Sequence, residues 1–252
     1  MHIALLTDIH GNLAALDAVL ADIESVGPVD QFWVLGDLAA FCPEPARTLE
    51  RLASLTPAHF ISGNTDRYLV TGQRPPMIVR DADHWARLPR ALAQRDANFR
   101  WTVERLSYEW YQFLHDLPQH LCHSIPGFGE VLAVHASPRS DEEGIFPDTT
   151  DAEIEEMLAG VEARLVVCGH THLPLDRQVG RWRVINPGSL GLPFDGDQRA
   201  AYVLLEFGDE GCQASFRRAP YDVEGVIARL EAVEHPARQW VIRLLRNAAP
   251  AG

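Results

Sequence analysis

Cysteine is scarce in this sequence and never paired. Its four cysteines, Cys42, Cys122, Cys168 and Cys212, form no C-x-x-C and no short disulfide framework, which excludes a disulfide-stapled scaffold and points to a reducing cytoplasm. Basic charge is also short: 22 Lys and Arg stand against 35 Asp and Glu, for a formal net charge of −13. Proteins that neutralise long runs of phosphate carry a basic stripe, and none is present, so bulk nucleic-acid binding is excluded. Long apolar runs are missing too. No stretch approaches the roughly 18 residues of a membrane span, and no membrane partner is expected. The first apolar run starts at Met1 and reaches a candidate ligand by Asp8, which leaves no room for a cleavable signal peptide. The expectation is a cytoplasmic protein without internal repeats or low-complexity segments.

With 252 residues, 46% of them hydrophobic, the chain is long enough for one domain with a well-buried core. Short apolar runs at Ile3–Thr7, Gln31–Leu35 and His59–Ile61 alternate with helical patterns at Asn12–Val26 and Pro45–Leu55. That order indicates parallel α/β structure with functional side chains at the strand carboxyl ends. From about 66 to 118 the pattern changes. Pro75-Pro76, then Asp81–Arg95 and Phe99–Leu117, read as a cap-like helical insertion in a single domain spanning 1–252. Trp101, Tyr108, Tyr111 and Leu114 recur there at helical spacing, which favours core or cap packing over a base-stacking platform. Strands follow at Leu121–Ile125, Val131–Val134 and Leu165–Cys168, with a helix at Asp151–Leu158 capped by Asp151. Further β-like runs cover Arg181–Ile185, Ala201–Phe207 and Cys212–Arg217. A helical tail, Val223–Leu245, is interrupted at Pro236.

Five islands of potential ligands each follow an apolar run: Asp8-Ile9-His10-Gly11-Asn12, Gly36-Asp37, Gly63-Asn64-Thr65-Asp66, His135 and Gly169-His170-Thr171-His172. Singly, each has an ordinary alternative: a helix-capping turn, a Gly-Asp turn, a hydrogen-bonded core histidine. Together they offer seven oxygen and nitrogen donors, suited to a pair of hard or borderline divalent ions. In an extended segment, residues i and i+2 share a side, so Asp8 with His10, and His170 with His172, are expected to face inward together. Gly11 lets its turn tighten, and Asn12 is placed to cap the next helix.

The set D-x-H, G-D, G-N-x-D, lone His and G-H-T-H, continued by Asn186-Pro187-Gly188-Ser189, resembles the calcineurin-like metallophosphoesterases. The resemblance implies a four-layer α-β-β-α sandwich with two mixed sheets. It implies one ion held by Asp8, His10, Asp37 and His172, and a second by Asp37, Asn64, His135 and His170. Two cations roughly 3.5 to 4 Å apart acidify a shared water and coordinate phosphoryl oxygens during in-line displacement; Asp37 would set their spacing. Manganese leads the expectation, with iron, zinc, nickel or cobalt compatible with the same donors.

One position departs from the family. Many members carry a leaving-group histidine after the Gly-Asn, oriented by the following acid; here Thr65 occupies it and only Asp66 remains. A threonine hydroxyl has no useful acid pKa, so substrates with better leaving groups are expected. The expected activity is hydrolysis of a small phosphodiester or nucleotide-like phosphate, with Asp37, Asn64, Asp66 and His135 in the catalytic set. A phosphoprotein or dinucleoside polyphosphate phosphatase shares every ligand, and a metal-binding scaffold of the same fold is the non-enzyme alternative. Asn12, Thr65, Arg67 and Arg139 are the substrate-contact candidates, the two arginines weighed against plain surface solvation. The aromatic insertion is open to three uses: capping the site, packing internally, or forming the surface of a homo-oligomer.

Overall fold

The computed structural model describes residues 1–74, 79–209 and 211–250, with the backbone alone at His84; Pro75-Pro76 lie outside the described residues. The strands are β1 (His2–Leu6), β2 (Gln31–Val34), β3 (Ala58–Phe60), β4 (His120–Ile125), β5 (Gly129–Val134), β6 (Leu165–Val167), β7 (Pro174–Val179), β8 (Trp182–Pro187), β9 (Ala200–Gly208) and β10 (Gly211–Ala219). The helices are α1 (Leu13–Val26), α2 (Pro45–Ala53), α3 (Asn64–Thr71), α4 (Ala82–Val103), α5 (Tyr108–His115), α6 (Asp151–Met157), α7 (Val223–Ala232) and α8 (Arg238–Asn247).

Two five-stranded mixed sheets result, ordered β10-β9-β1-β2-β3 and β4-β5-β6-β8-β7. Within the first, β1, β2 and β3 are parallel; within the second, so are β5, β6 and β8. Strand side chains alternate between faces, and β1 shows what that does. Ile3 and Leu5 enter the layer between the sheets, against Val131, Ala133, Leu165 and Val167. Ala4 and Leu6 turn outward to pack on Leu16, Val19 and Ile23 of α1. On the other side, Val166 and Val184 pack on Ile154 and Leu158 around α6. The layers are therefore α-β-β-α, as the resemblance implies. All five islands fall at the carboxyl ends of parallel strands, Asp8 and His10 after β1, Asp37 after β2, Asn64 after β3, His135 after β5, His170 and His172 after β6.

Several elements differ from expectation. Strand β7 was not foreseen: it lies at a sheet edge and carries Asp176 and Arg177 in its middle, so a half-solvated edge breaks the apolar signal. Thr150, not Asp151, caps α6, its side chain accepting from Glu153 N while Glu153 reciprocates to the Thr150 backbone; the capping box outbids the neighbouring acid. The two helical stretches of the insertion are divided later than expected, α4 running unbroken through residues 96–98 with Pro89 inside it. Proline removes the hydrogen bond to the Trp85 carbonyl, a small loss on a helix face exposed to water. Trp101 and Leu114 are buried, but Tyr108 and Tyr111 stack on each other at the surface. The buried face of α5 is built by Trp110, Phe113 and Leu114 instead.

Candidate metal centre

Local backbone brings the islands together. The turn after β1 is zipped to the turn after β2 by Asp8 N donating to Gly36 O (3.1 Å), His10 N to Asp37 O (2.8 Å) and Gly11 N to Leu38 O (2.9 Å). Neither turn is extended: Asp8, His10, Asp37, His170 and His172 all have positive φ, between 54° and 67°. The expectation that extended i, i+2 spacing aims the paired ligands is therefore corrected. They converge because left-handed residues coil each turn around the site, a conformation that Asp and His accept more readily than bulky or β-branched residues. Close approach also explains the glycines. A Cβ at Gly63 would lie 2.2 Å from Asp37 Oδ1, and one at Gly169 would lie 2.1 Å from Thr7 Oγ1.

Asp8, His10, Asp37 and His172 present buried donor atoms that all lie within 4.8 Å of one another. His172 Nε2 is 3.1 Å from His10 Nε2 and 3.3 Å from Asp8 Oδ1; His10 Nε2 is 3.6 Å from Asp37 Oδ2. The other Asp37 oxygen faces the opposite way, 3.5 Å from His135 Nε2. Beyond it, Asn64 Oδ1 lies 3.0 Å from His135 Nε2 and 3.1 Å from His170 Nδ1. Two groups of donor atoms thus flank one carboxylate.

Backbone carbonyls fix the tautomers. His172 Nδ1 donates to Leu192 O (2.5 Å) and His135 Nδ1 to Leu35 O (2.7 Å). A carbonyl can only accept, so in the neutral rings both Nε2 atoms present lone pairs to the site. Asp8 Oδ2 accepts from Thr7 Oγ1 and His170 N, whereas Asp8 Oδ1 is buried with no hydrogen-bond partner among the described residues. An orphaned carboxylate oxygen facing imidazole lone pairs is unfavourable alone and well suited to a cation. The residues therefore fit a metal.

The electrostatics of the ion-free site agree. Burial raises the Asp8 carboxyl, but His172, His135 and His10 outweigh it and hold it below the usual range. Burial and then His172 depress His10 well below its ordinary value, and burial with His135 brings His170 down to about 4. Burial also pulls His135 down, yet Asp37 and Asp8 raise it overall: a proton is drawn to the spot where those carboxylates attract positive charge. Asp37 itself is raised, first by burial.

Asp66 does not reach this cluster. Its carboxylate accepts from Asp37 N (2.8 Å), Leu38 N (2.9 Å) and Gly63 N (3.0 Å), bracing the Asp37 turn. Burial, then the charge of Asp37, pushes it up to about 7. Asn12 spends its amide on Gly191 O, Tyr221 Oη and the α1 cap. Arg67 is paired with Asp141 and Glu142, and Arg139 with Glu143 and Glu156. Thr65 lines the cavity above the ligands; Asn12, Arg67 and Arg139 do not. The Asn186-Pro187-Gly188-Ser189 turn acts behind the ligands. Asn186 Nδ2 donates to Gly169 O and Thr171 Oγ1, and Ser189 Oγ donates to Asp8 O. Sequence reasoning missed the carbonyls of Leu35 and Leu192, which no side-chain pattern marks.

His10, Asp37, Asn64, His170 and His172 line a cavity of ≈ 460 Å³ that is also lined by residues of α4. Among the described residues no helix is long and apolar enough to cross a membrane, and the four cysteines are free.

Comparison with known proteins is consistent with this geometry. A model of the calcineurin-like phosphoesterase superfamily domain matches residues 1–210. The uncharacterized protein MJ0912 of Methanocaldococcus jannaschii is 28% identical, over 95% of each chain. The crystal structure of a metallophosphoesterase from Sphaerobacter thermophilus superposes with a TM-score of 0.78 at 26% identity, over 99% of each chain. That of the hypothetical protein PH1004 from Pyrococcus horikoshii OT3 gives 0.83 at 25% identity, also over 99% of each.

Proposed function

This chain belongs to the calcineurin-like phosphoesterase superfamily, and on that footing we propose that it is a dinuclear-metal phosphoesterase cleaving a small phosphodiester or nucleotide-like phosphate. The observation that carries the proposal is the divided carboxylate of Asp37, one oxygen toward His10 and the other toward His135. Asp8, His10 and His172 would complete one ion's ligands, and Asn64, His135 and His170 the other's. When bound, two such ions supply Lewis acidity, acidifying water and offsetting phosphoryl charge.

The chain's own residues do the remainder. Asp37 fixes the distance between the half-sites, and its Oδ1 is held by Thr65 N at 2.9 Å. Asp66 holds the Asp37 turn through three amides, so its part is positioning rather than proton transfer. The carbonyls of Leu35 and Leu192 keep the two histidines in the ligating tautomer. Thr65, on the cavity wall, leaves the departing oxygen without a strong acid, which favours a leaving group stable as an anion. Helix α4 lines the cavity through Ala91, Gln94, Asn98 and Phe99, and on this reading it limits access to small substrates, disfavouring a folded phosphoprotein. A scaffold that has abandoned catalysis is free to lose ligands, and all seven donors are present here.

The test is a metal-dependent screen of phosphomonoesters, cyclic nucleotides, linear diesters and dinucleoside polyphosphates with the manganese-loaded protein. An activated diester is expected to be cleaved fastest. Faster cleavage of an alkyl monoester would overturn the diester preference, and no turnover with any metal would overturn the enzyme reading.

A further inference from the structure

The cavity is larger than a phosphate requires and falls in the range of sites for whole small molecules. Beyond the ligands, five aromatic side chains line it together with polar groups of α4 that include Gln94 and Arg95. Phe41 packs on the His10 ring at 5.0 Å, on Trp240 at 5.2 Å and on Phe99 at 5.7 Å, while Phe194 stacks on His172 at 4.3 Å. Ring surface thus begins at the metal ligands and extends to α4. Phe41 is held at φ 94°, outside the left-handed well and disfavoured for so bulky a residue. Its backbone is pinned beside the site by Cys42 N donating to His10 O at 2.8 Å.

Of the amides that line it, Asn98 stands apart from Asn64 and Gln94. Asn98, on α4, is 1% exposed and lines the same cavity. Neither its Oδ1 nor its Nδ2 has a hydrogen-bond partner among the described residues. A buried amide left unpaired at both ends is costly and uncommon. An occupant of the cavity with adjacent acceptor and donor atoms on a flat edge would satisfy both ends at once. Adenine presents N7 and the N6 amino group in that arrangement, matching the bidentate geometry of an asparagine amide, and its faces suit aromatic walls.

We propose that the α4 side of the cavity is a nucleobase subsite, adenine foremost, in which the base lies among Phe41, Phe99 and Trp240 with its donor–acceptor edge on Asn98. The phosphate would then extend to the ligand cluster; that half of the picture rests on the phosphoesterase reading, and base binding does not.

Two diesters with one leaving group test it: the 4-nitrophenyl ester of adenosine 5′-monophosphate and ethyl 4-nitrophenyl phosphate, with the manganese-loaded full chain. The nucleoside ester is expected to be preferred in kcat/KM by about tenfold or more. In Asn98→Leu that ratio should fall by about tenfold, with thermal melting confirming the fold. Equal use of the two esters by the unmodified protein, or an unchanged ratio in the folded variant, overturns the subsite. If Asn98→Leu does not fold, Asn98→Asp, which replaces the donor with an acceptor, reads the same ratio. If neither ester is cleaved, the phosphoesterase reading fails separately, and calorimetric titration with adenosine decides the subsite. Binding weakened about tenfold in the variant supports it, and no binding to the unmodified protein overturns it.

Discussion

His10 and His172 meet Nε2 to Nε2 at 3.1 Å with both rings buried. The Nδ1–H of His172 donates to Leu192 O, so in the neutral ring the Nε2 lone pair faces His10 across that gap. Without an ion, the Nε2–H of a neutral His10 fills it, and burial keeps that ring uncharged. A divalent cation would displace that proton and take both lone pairs. Manganese at about 100 times its dissociation constant is expected to stabilise the fold by about 2.7 kcal/mol. For a chain of this length that is a rise in Tm of about 5–10 °C. Differential scanning fluorimetry with manganese and with EDTA checks it, and identical curves would sink the metal assignment.

Asp37→Asn separates ligation from folding. Its amide oxygen can still accept from Thr65 N, which leaves the amino group facing His10 and spoils one half-site. Backbone links such as His10 N to Asp37 O are untouched, so circular dichroism should not change. Loss of even an indirect partner costs about 10–100-fold at metal sites; for the shared ligand itself, kcat/KM should drop by at least about 100-fold and bound metal to one ion or fewer. Full metal content together with full rate would end the shared-carboxylate reading.

Thr65→His restores a proton donor at the cavity wall. General acids contribute about 10²–10⁴-fold, so hydrolysis of an alkyl phosphomonoester should rise about tenfold or more, while an activated diester gains little. The readout is the monoester-to-diester ratio of kcat/KM, and no movement in it would mean that the leaving oxygen finds its proton elsewhere.

Away from the site, His235 should make stability depend on pH. It is fully buried, with its ring 4.4 Å from that of Trp101. Burial, then Arg105 and Arg238, bring its pKa down to about 4. The unfolded chain therefore takes up this proton first as pH falls. The stability of neutral burial is present above pH ~6.5 and is lost on descending through about 4, on the order of 3 kcal/mol in all. Urea midpoints measured with EDTA at pH 7 and pH 4.5 should fall less in His235→Phe than in the unmodified protein, and equal drops would remove His235 from the account.

The clustering of the candidate ligands was legible because Asp, His and Asn beside glycine at the ends of apolar runs are a chemical pattern, and the strand order followed from the same runs. The aim of the side chains was not legible. Spacing suggested extended turns, whereas Asp8, His10, His170 and His172 are left-handed, a choice dictated by neighbouring turns that bond to one another. Edge strand β7 escaped because a half-solvated strand need not be apolar. Phe41 and Asn98 had no signal at all, since a lone phenylalanine and a lone asparagine acquire meaning only from what the fold packs around them.

The ligands come from both sheets: β1, β2 and β3 on one side of the inner layer, β5 and β6 on the other. Metal bound there would act as a rivet through the sandwich, and its hold would depend on the thickness of the apolar filling. Ile185 and Leu205, fully buried between the sheets, touch the rivet only through that thickness, so trimming either would loosen metal grip without altering a single ligand.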